Sequence, residues 1–166
     1  MSPDQPHPPH GHPAALAPVD AADLTWREAE GLGAVPVSAR FDDPYYSLED
    51  GLAETCHVFL LGNDLPTRLV PGFRVAELGF GTGLNLLAAW DLAERHGTAL
   101  RYTGFEAFPM RPEEAARALM PWTPQFGDKI TRLLDGWGED AITLDTPLLQ
   151  AEVILGDARQ TLPEWQ

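Results

Sequence analysis

The sequence predicts an α/β fold, a Rossmann-like, doubly wound parallel sheet. Three features point there. From residue 73 onward, short apolar runs alternate with segments of helical period, the β-α-β pattern of a parallel sheet. The first run turns into the first helix through Gly79, Gly81 and Gly83, at alternate positions. Acidic residues close three successive runs: Glu77, Glu106 and Asp157.

In chain order, residues 1–22, "MSPDQPHPPHGHPAALAPVDAA", carry Pro, His and Ala without an apolar period. Such a segment cannot bury enough surface to offset its ordering entropy, so a disordered tail is expected. His7, His10 and His12 read as part of that tail rather than as a metal site. Residues 23–71 come next. "LTWRE" and "VPVSARF" flank the glycine-containing "AEGLGA" and predict a β-hairpin. Asp43-Pro44 marks a turn with Phe41, Tyr45 and Tyr46 around it. "LEDGLAETCHVFLLGNDLP" predicts one helix with Leu52, Cys56, Phe59 and Leu60 on a shared face and Gly62-Asn63 as its stop. The stretch is too small to fold alone and is expected to pack on the core that follows.

Residues 72–166 form that core, a partial Rossmann-like unit. "FRVAEL" (73–78) is strand one, a helix covers 83–95 and ends at Gly97, and "LRYTGFE" (100–106) is strand two. A helix opens at Pro112 and runs to about residue 120. A loop holding Trp122, Pro124 and Gly127 leads to a short helix near 127–135. "AITLD" predicts a short strand, and "AEVILGD" (151–157) the third parallel one, buried on both faces.

The 166 residues are 44 % hydrophobic, enough for one globular domain, and no apolar run reaches the length of a membrane span. No secretory pattern opens the chain, and the single Cys56 excludes an internal disulfide framework, so a cytoplasmic protein is expected. The net charge of −14 opposes non-specific nucleic-acid binding. No metal cluster is visible, and a monomer is expected.

The glycine turn is the chemically informative stretch. A dinucleotide fingerprint, G-x-G-x-x-G, requires glycine where this chain has Leu84. Here the pattern is E-x-G-x-G-x-G. A carboxylate at Glu77 would repel a pyrophosphate but can accept bonds from an amino-acid ammonium. That favours S-adenosyl-L-methionine over NAD. Glu106 stands about 20 residues on, where an acid takes ribose hydroxyls, and Asp157 can accept from an adenine amino group. Glycine turns are often mere strand-to-helix joints, and lone acids at strand ends are often solvated or cap helices. The joint placement of the three acids at one crevice is what favours a cofactor site. Asn85 either contacts the cofactor or satisfies the first helical turn.

Taken together, "VSARFDDPYYS", "GLAETCHVFLLGNDLPTR", "VAELGFGTGLNLLAAW", "FEAFP" and "GDARQTLP" resemble the methyltransferase domain of the MnmC family, the tRNA 5-methylaminomethyl-2-thiouridine biosynthesis proteins, and its stand-alone homologues. The resemblance covers about residues 24–165. It implies methyl transfer from S-adenosylmethionine to the aminomethyl nitrogen of the wobble uridine of tRNA, with Glu77, Gly79, Gly81, Gly83, Glu106 and Asp157 lining the cofactor site. Three positions depart from the pattern: Ala107 stands where the family has a basic residue, and Cys56-His57 where it often has Arg-Tyr. The family chain continues into a D-G-F-x-P element that supplies an acid near the reacting nitrogen. An N-terminal piece, inactive alone and without an assignable catalytic residue, is therefore expected. Two other functions remain open: a methyl- or aminopropyltransferase of a small amine, which the acidic charge suits, and a non-catalytic binding module.

Overall fold

The computed structural model describes residues 19–165. Most of the expected tail, including His7, His10 and His12, lies outside the described residues. Ala22 is buried, its N–H donates to Pro109 O at 3.0 Å, and Val19 packs against the core. Small side chains lose little entropy on burial, so a segment without a hydrophobic period can still seat itself in a groove.

The hairpin forms as expected. Strand β1 (Leu24–Ala29) pairs antiparallel with β2 (Gly33–Ser38), from Leu24↔Ser38 to Ala29↔Gly33. The turn at Asp43-Pro44 is instead a two-residue strand, β3 (Asp43–Pro44), on the edge of β2, a position that tolerates a proline without an N–H. The chain then anchors on the core: Tyr46 Oη donates to Ala118 O at 2.9 Å, and its ring meets Trp122 edge-on at 4.7 Å.

The expected single α-helix after Tyr46 is corrected. Helix α1 (Gly51–Glu54), capped by Asp50, widens at once into a π-helical segment, Thr55–Leu61. Gly51, Thr55 and Leu60 are its buried residues, whereas Leu52, Cys56 and Phe59 are half-buried. The wide turn closes on Gly62, whose N–H donates to His57 O at 2.9 Å. A Cβ on Gly62 would lie 2.3 Å from Val58 O, so the closure requires glycine. A short helix, α2 (Leu65–Arg68), follows.

The second sheet has the order β4-β5-β7-β6. Strands β4 (Phe73–Leu78), β5 (Leu100–Glu106) and β7 (Leu149–Leu155) are parallel, and β6 (Ala141–Thr146) pairs antiparallel with β7. They are linked by α3 (Leu84–His96), α4 (Pro112–Leu119) and α5 (Thr123–Asp135). The expected loop around Trp122, Pro124 and Gly127 is helical. A 3-10 turn, Met120–Trp122, passes directly into α5, whose first turn takes Pro124 without losing an internal bond. Lys129 on α5 joins Asp91 (3.2 Å) and Glu94 (2.9 Å) on α3.

Strand β7 was expected to be buried on both faces. It alternates instead: Leu149, Ala151, Val153 and Leu155 are buried, and Gln150 and Glu152 are exposed. Arg74, Ala76 and Leu78 of β4 and Arg101 of β5 are exposed on the same side. Beyond β7, α6 (Ala158–Thr161) and a 3-10 turn, Leu162–Glu164, bring Trp165 onto this side, edge-on to Phe105 at 5.9 Å and under the Arg74 guanidinium at 4.9 Å. The β4, β5 and β7 C-termini lie level, with Leu78 opposite Phe105 and Glu106 opposite Leu155.

Candidate cofactor site

At that level edge a cavity of about 650 Å³ opens between the glycine turn and the N-terminal segment. The sheet side supplies Gly79, Phe80, Gly81, Thr82, Asn85 and Glu106. The facing wall includes Asp43, Tyr45, Glu54, Val58 and Phe108. This is where parallel sheets bind ligands, beyond the carboxyl ends of their strands.

The glycine turn is left-handed at all three glycines, with φ of +82° at Gly79, +58° at Gly81 and +82° at Gly83. Their neighbours differ. A side chain on Gly79 would meet nothing within 4 Å, so this position opens onto free space at the cavity wall. A Cβ on Gly81 would lie 3.0 Å from the Tyr45 ring, and one on Gly83 would lie 2.9 Å from Leu133 and 3.0 Å from Phe80. Gly83 is therefore a packing position, off the cavity wall.

The amides of this turn are already used by the protein. Gly79 N–H and Phe80 N–H both donate to Phe105 O, at 2.9 and 3.2 Å. Gly81 N–H donates to Glu106 Oε2 at 2.8 Å, while Glu106 Oε1 accepts from Phe108 N–H at 2.8 Å. Glu106 thus ties the glycine turn to the loop that carries Phe108. Each of its oxygens keeps a second lone pair for a ligand hydroxyl.

Glu77 is buried beneath the turn rather than on the cavity wall. Its Oε1 accepts from Asn85 Nδ2 at 2.6 Å, and its Oε2 from the Tyr102 hydroxyl in a short hydrogen bond. Asn85 itself lines the cavity, so Glu77 reaches the site through it. Asp157 stands apart. It caps α6 by accepting from Arg159 N–H at 2.9 Å, and it grips the Arg159 guanidinium, which holds its carboxyl down at about 2. The strand ends therefore gather Glu77 and Glu106 at the turn and leave Asp157 engaged with its own helix.

Burial pushes the Glu77 carboxyl up to about 7, against the lowering pull of the Tyr102 and Asn85 hydrogen bonds. A carboxyl raised on folding binds its proton more tightly in the native state. Its contribution is complete below the ordinary glutamate range and is lost as pH rises toward 7. Glu77→Gln should remove this dependence. Between pH 4.5 and 7.5 the wild type should lose stability relative to the variant by a few kcal/mol, read as urea midpoints at both pH values. A constant difference across that window would show that Glu77 is ionised throughout.

Tyr45 faces the same cavity, its phenol pushed up to about 12 by burial and by the nearby Glu106 and Glu114 carboxylates, so it remains a hydrogen-bond donor. Among the described residues, no group of three or more His, Cys, Asp and Glu side chains could hold a metal ion, and no helix is long and apolar enough to cross a membrane.

No family model matches the chain. Individual relatives do. The tRNA 5-methylaminomethyl-2-thiouridine biosynthesis bifunctional protein MnmC of Chromohalobacter salexigens is 39% identical over 160 residues, covering 89% of this chain and 22% of that protein. The protein of that name from Caulobacter sp. (strain K31) is 45% identical over 127 residues, 70% of this chain and 20% of its own. The one from Methylobacillus flagellatus is 35% identical over 164 residues, 90% of this chain and 24% of its own. The chain is similar to these MnmC proteins over most of its own length. It spans about a fifth to a quarter of the length of these curated MnmC relatives. The crystal structure of MNMC2 from Aquifex Aeolicus superposes with a TM-score of 0.64 over 89% of this chain and 48% of that chain, at 18% identity, which shows the Rossmann-like fold.

Several residues that build or support the site escaped sequence reasoning. Tyr102, the partner of Glu77, sits in mid-strand and reads as core. Tyr45 reads only as one aromatic of a turn. Phe108 could have been found from its place two residues after Glu106, within the span of an Asx-like side-chain-to-backbone bond.

Proposed function

We propose that this chain binds S-adenosylmethionine in the cavity at the ends of β4 and β5 and serves methyl transfer to the aminomethyl nitrogen of the wobble uridine in tRNA. The observation that carries the reading is the shared wall of Gly79, Gly81, Asn85 and Glu106, four of the residues singled out by the sequence, around one cavity. The fit is good at the turn. Gly79 leaves room for close approach, and Glu106 keeps lone pairs free for the two ribose hydroxyls. Asn85, oriented by Glu77, is placed for the amino-acid end. Gly83 supports the turn from behind, and Asp157 joins the site only if it releases Arg159.

The cofactor, when bound, supplies a methyl group already activated by its sulfonium charge. The protein's share is then to hold a neutral amine in line, so positioning provides most of the rate. Asp43 and Glu54 are the other carboxylates on the cavity wall and can take up the proton that the amine loses. Tyr45, a phenol at working pH, can donate a hydrogen bond but cannot act as the base.

Calorimetry of the full chain tests the reading. S-adenosylmethionine and its demethylated product should both bind, NAD should not, and tRNA bearing the aminomethyl wobble uridine should bind more tightly than tRNA with plain uridine there. Comparable binding of NAD would overturn the cofactor assignment. Equal binding of the two tRNAs would overturn the substrate.

A further inference from the structure

Beside the cofactor cavity lies a second one of about 380 Å³, lined in part by Asp20, Ala22, Asp23 and Arg40. Ser38, Phe41, Tyr45 and Phe108 line both cavities and form the wall between them. Phe41 is 63% exposed, on the loop after β2, where its N–H donates to Ser38 Oγ at 3.3 Å. Its ring lies 6.0 Å from that of Phe108, inclined at 58°. The Arg40 guanidinium stands 4.5 Å from the Phe108 ring centre and 5.8 Å from that of Phe41.

A single exposed phenylalanine is ordinary on a protein surface. This one differs in three respects. It is paired with a second aromatic ring at a cavity mouth. It is registered to the glycine turn, because the Glu106 carboxylate binds Phe108 N–H with one oxygen and Gly81 N–H with the other. And it carries a free cation. Among the described residues, Arg40 is the one Lys or Arg lining either cavity, and it makes no ion pair, whereas Arg27, Arg95, Arg111, Lys129 and Arg159 are each paired with carboxylates. In a chain of net charge −14, an arginine over aromatic rings that makes no ion pair, with Asp20 and Asp23 on the wall of the same cavity, is a cation that a phosphate can engage.

We propose that Phe41, Phe108 and Arg40 form the platform that receives the extruded wobble nucleobase, with the rings stacking on the base and the guanidinium taking an adjoining phosphate. The inference rests on the tRNA reading above and adds the residues that recognise the nucleotide. Chemistry on a base in an RNA loop requires the base to be splayed from its neighbours, and aromatic faces with an arginine are what hold it there. The wall position of the rings sets the stacked base at the partition between the two cavities.

The test is a cycle on the full chain at low salt, using an anticodon stem-loop with 5-aminomethyl-2-thiouridine at the wobble position and the same stem-loop abasic there. The wild type should bind the abasic loop ~10-fold more weakly, within the range of one base–aromatic stack. Phe41→Ala should lose ~10-fold on the intact loop and nothing further on the abasic one, while Phe41→Tyr restores binding. Arg40→Ala should reduce the slope of log affinity against log salt by about one, the signature of one phosphate contact. S-adenosylmethionine binding should be unchanged in Arg40→Ala, because Arg40 lines the second cavity and not the cofactor cavity. Additive losses from Phe41→Ala and base removal, or an unchanged salt slope in Arg40→Ala, would overturn the platform and leave the tRNA reading standing. Failure of the wild type to bind either loop would overturn both.

Discussion

Gly83→Val should be among the most damaging single substitutions in this chain, lowering the thermal midpoint by about 5–15 °C. Two costs combine. A β-branched residue at φ +82° is forced into left-handed backbone, which costs about 1–2 kcal/mol. The new side chain also drives into Leu133 and Phe80, at 2.9 and 3.0 Å from its Cβ, and overpacking of this kind costs about 1–3 kcal/mol. For a domain of this size each kcal/mol shifts the midpoint by about 2–4 °C. Gly79→Ala is the informative companion. It has the same φ but open space around its Cβ, so it should cost the backbone term alone while narrowing the cavity wall. The expected pattern is that Gly83→Val loses stability first and Gly79→Ala loses S-adenosylmethionine binding first. Scanning calorimetry with ligand titration separates them, and equal thermal losses in the two variants would refute the assignment of Gly83 to packing.

Glu106→Ala should lower S-adenosylmethionine affinity by ~10-fold or more, because two charge-assisted bonds to the ribose hydroxyls would be lost. The same change also strips the acceptor from Gly81 N–H and Phe108 N–H, and orphaned donors in such a setting cost about 1–3 kcal/mol each. Glu106→Gln distinguishes the two roles. An amide keeps one acceptor oxygen but places an NH2 against the other backbone donor, so it should restore part of the stability and little of the affinity. Isothermal titration beside urea denaturation reads both. Unchanged affinity in either variant would remove Glu106 from the cofactor site and leave it as a brace between the turn and the Phe108 loop.

Much of the scaffold was legible because its signals are local. Strands 73–78 and 100–106 are apolar runs with punctuation at both ends, and both stand where the sequence placed them. The helix between them starts at the glycine turn and stops at Gly97, whose φ of +60° is the left-handed conformation expected of a glycine cap. The hairpin was legible for the same reason. What the sequence concealed depends on partners distant in the chain. Thr55 is buried in the π segment, which packs against α3 and closes at Gly62. "AEVIL" reads as doubly buried, yet its fate depends on which side of the sheet receives helices. Only the assembled sheet reveals that Gln150 and Glu152 stay in solvent.

The candidate site divides along the same line. By itself the sequence determined a glycine turn at the end of a parallel strand, a second acid at the end of the next strand, and a resemblance to a family through its motifs, since glycine conformation and strand-end position follow from neighbouring residues. Only the tertiary structure decided what each acid does. Parallel pairing of β4 with β5 set Glu106 against Gly81 N–H, burial beside Tyr102 turned Glu77 into a support for Asn85, and the Arg159 guanidinium two residues away claimed Asp157. A carboxylate's role is set by the donors that reach it in space and by how much water it keeps, and neither is written in the order of residues.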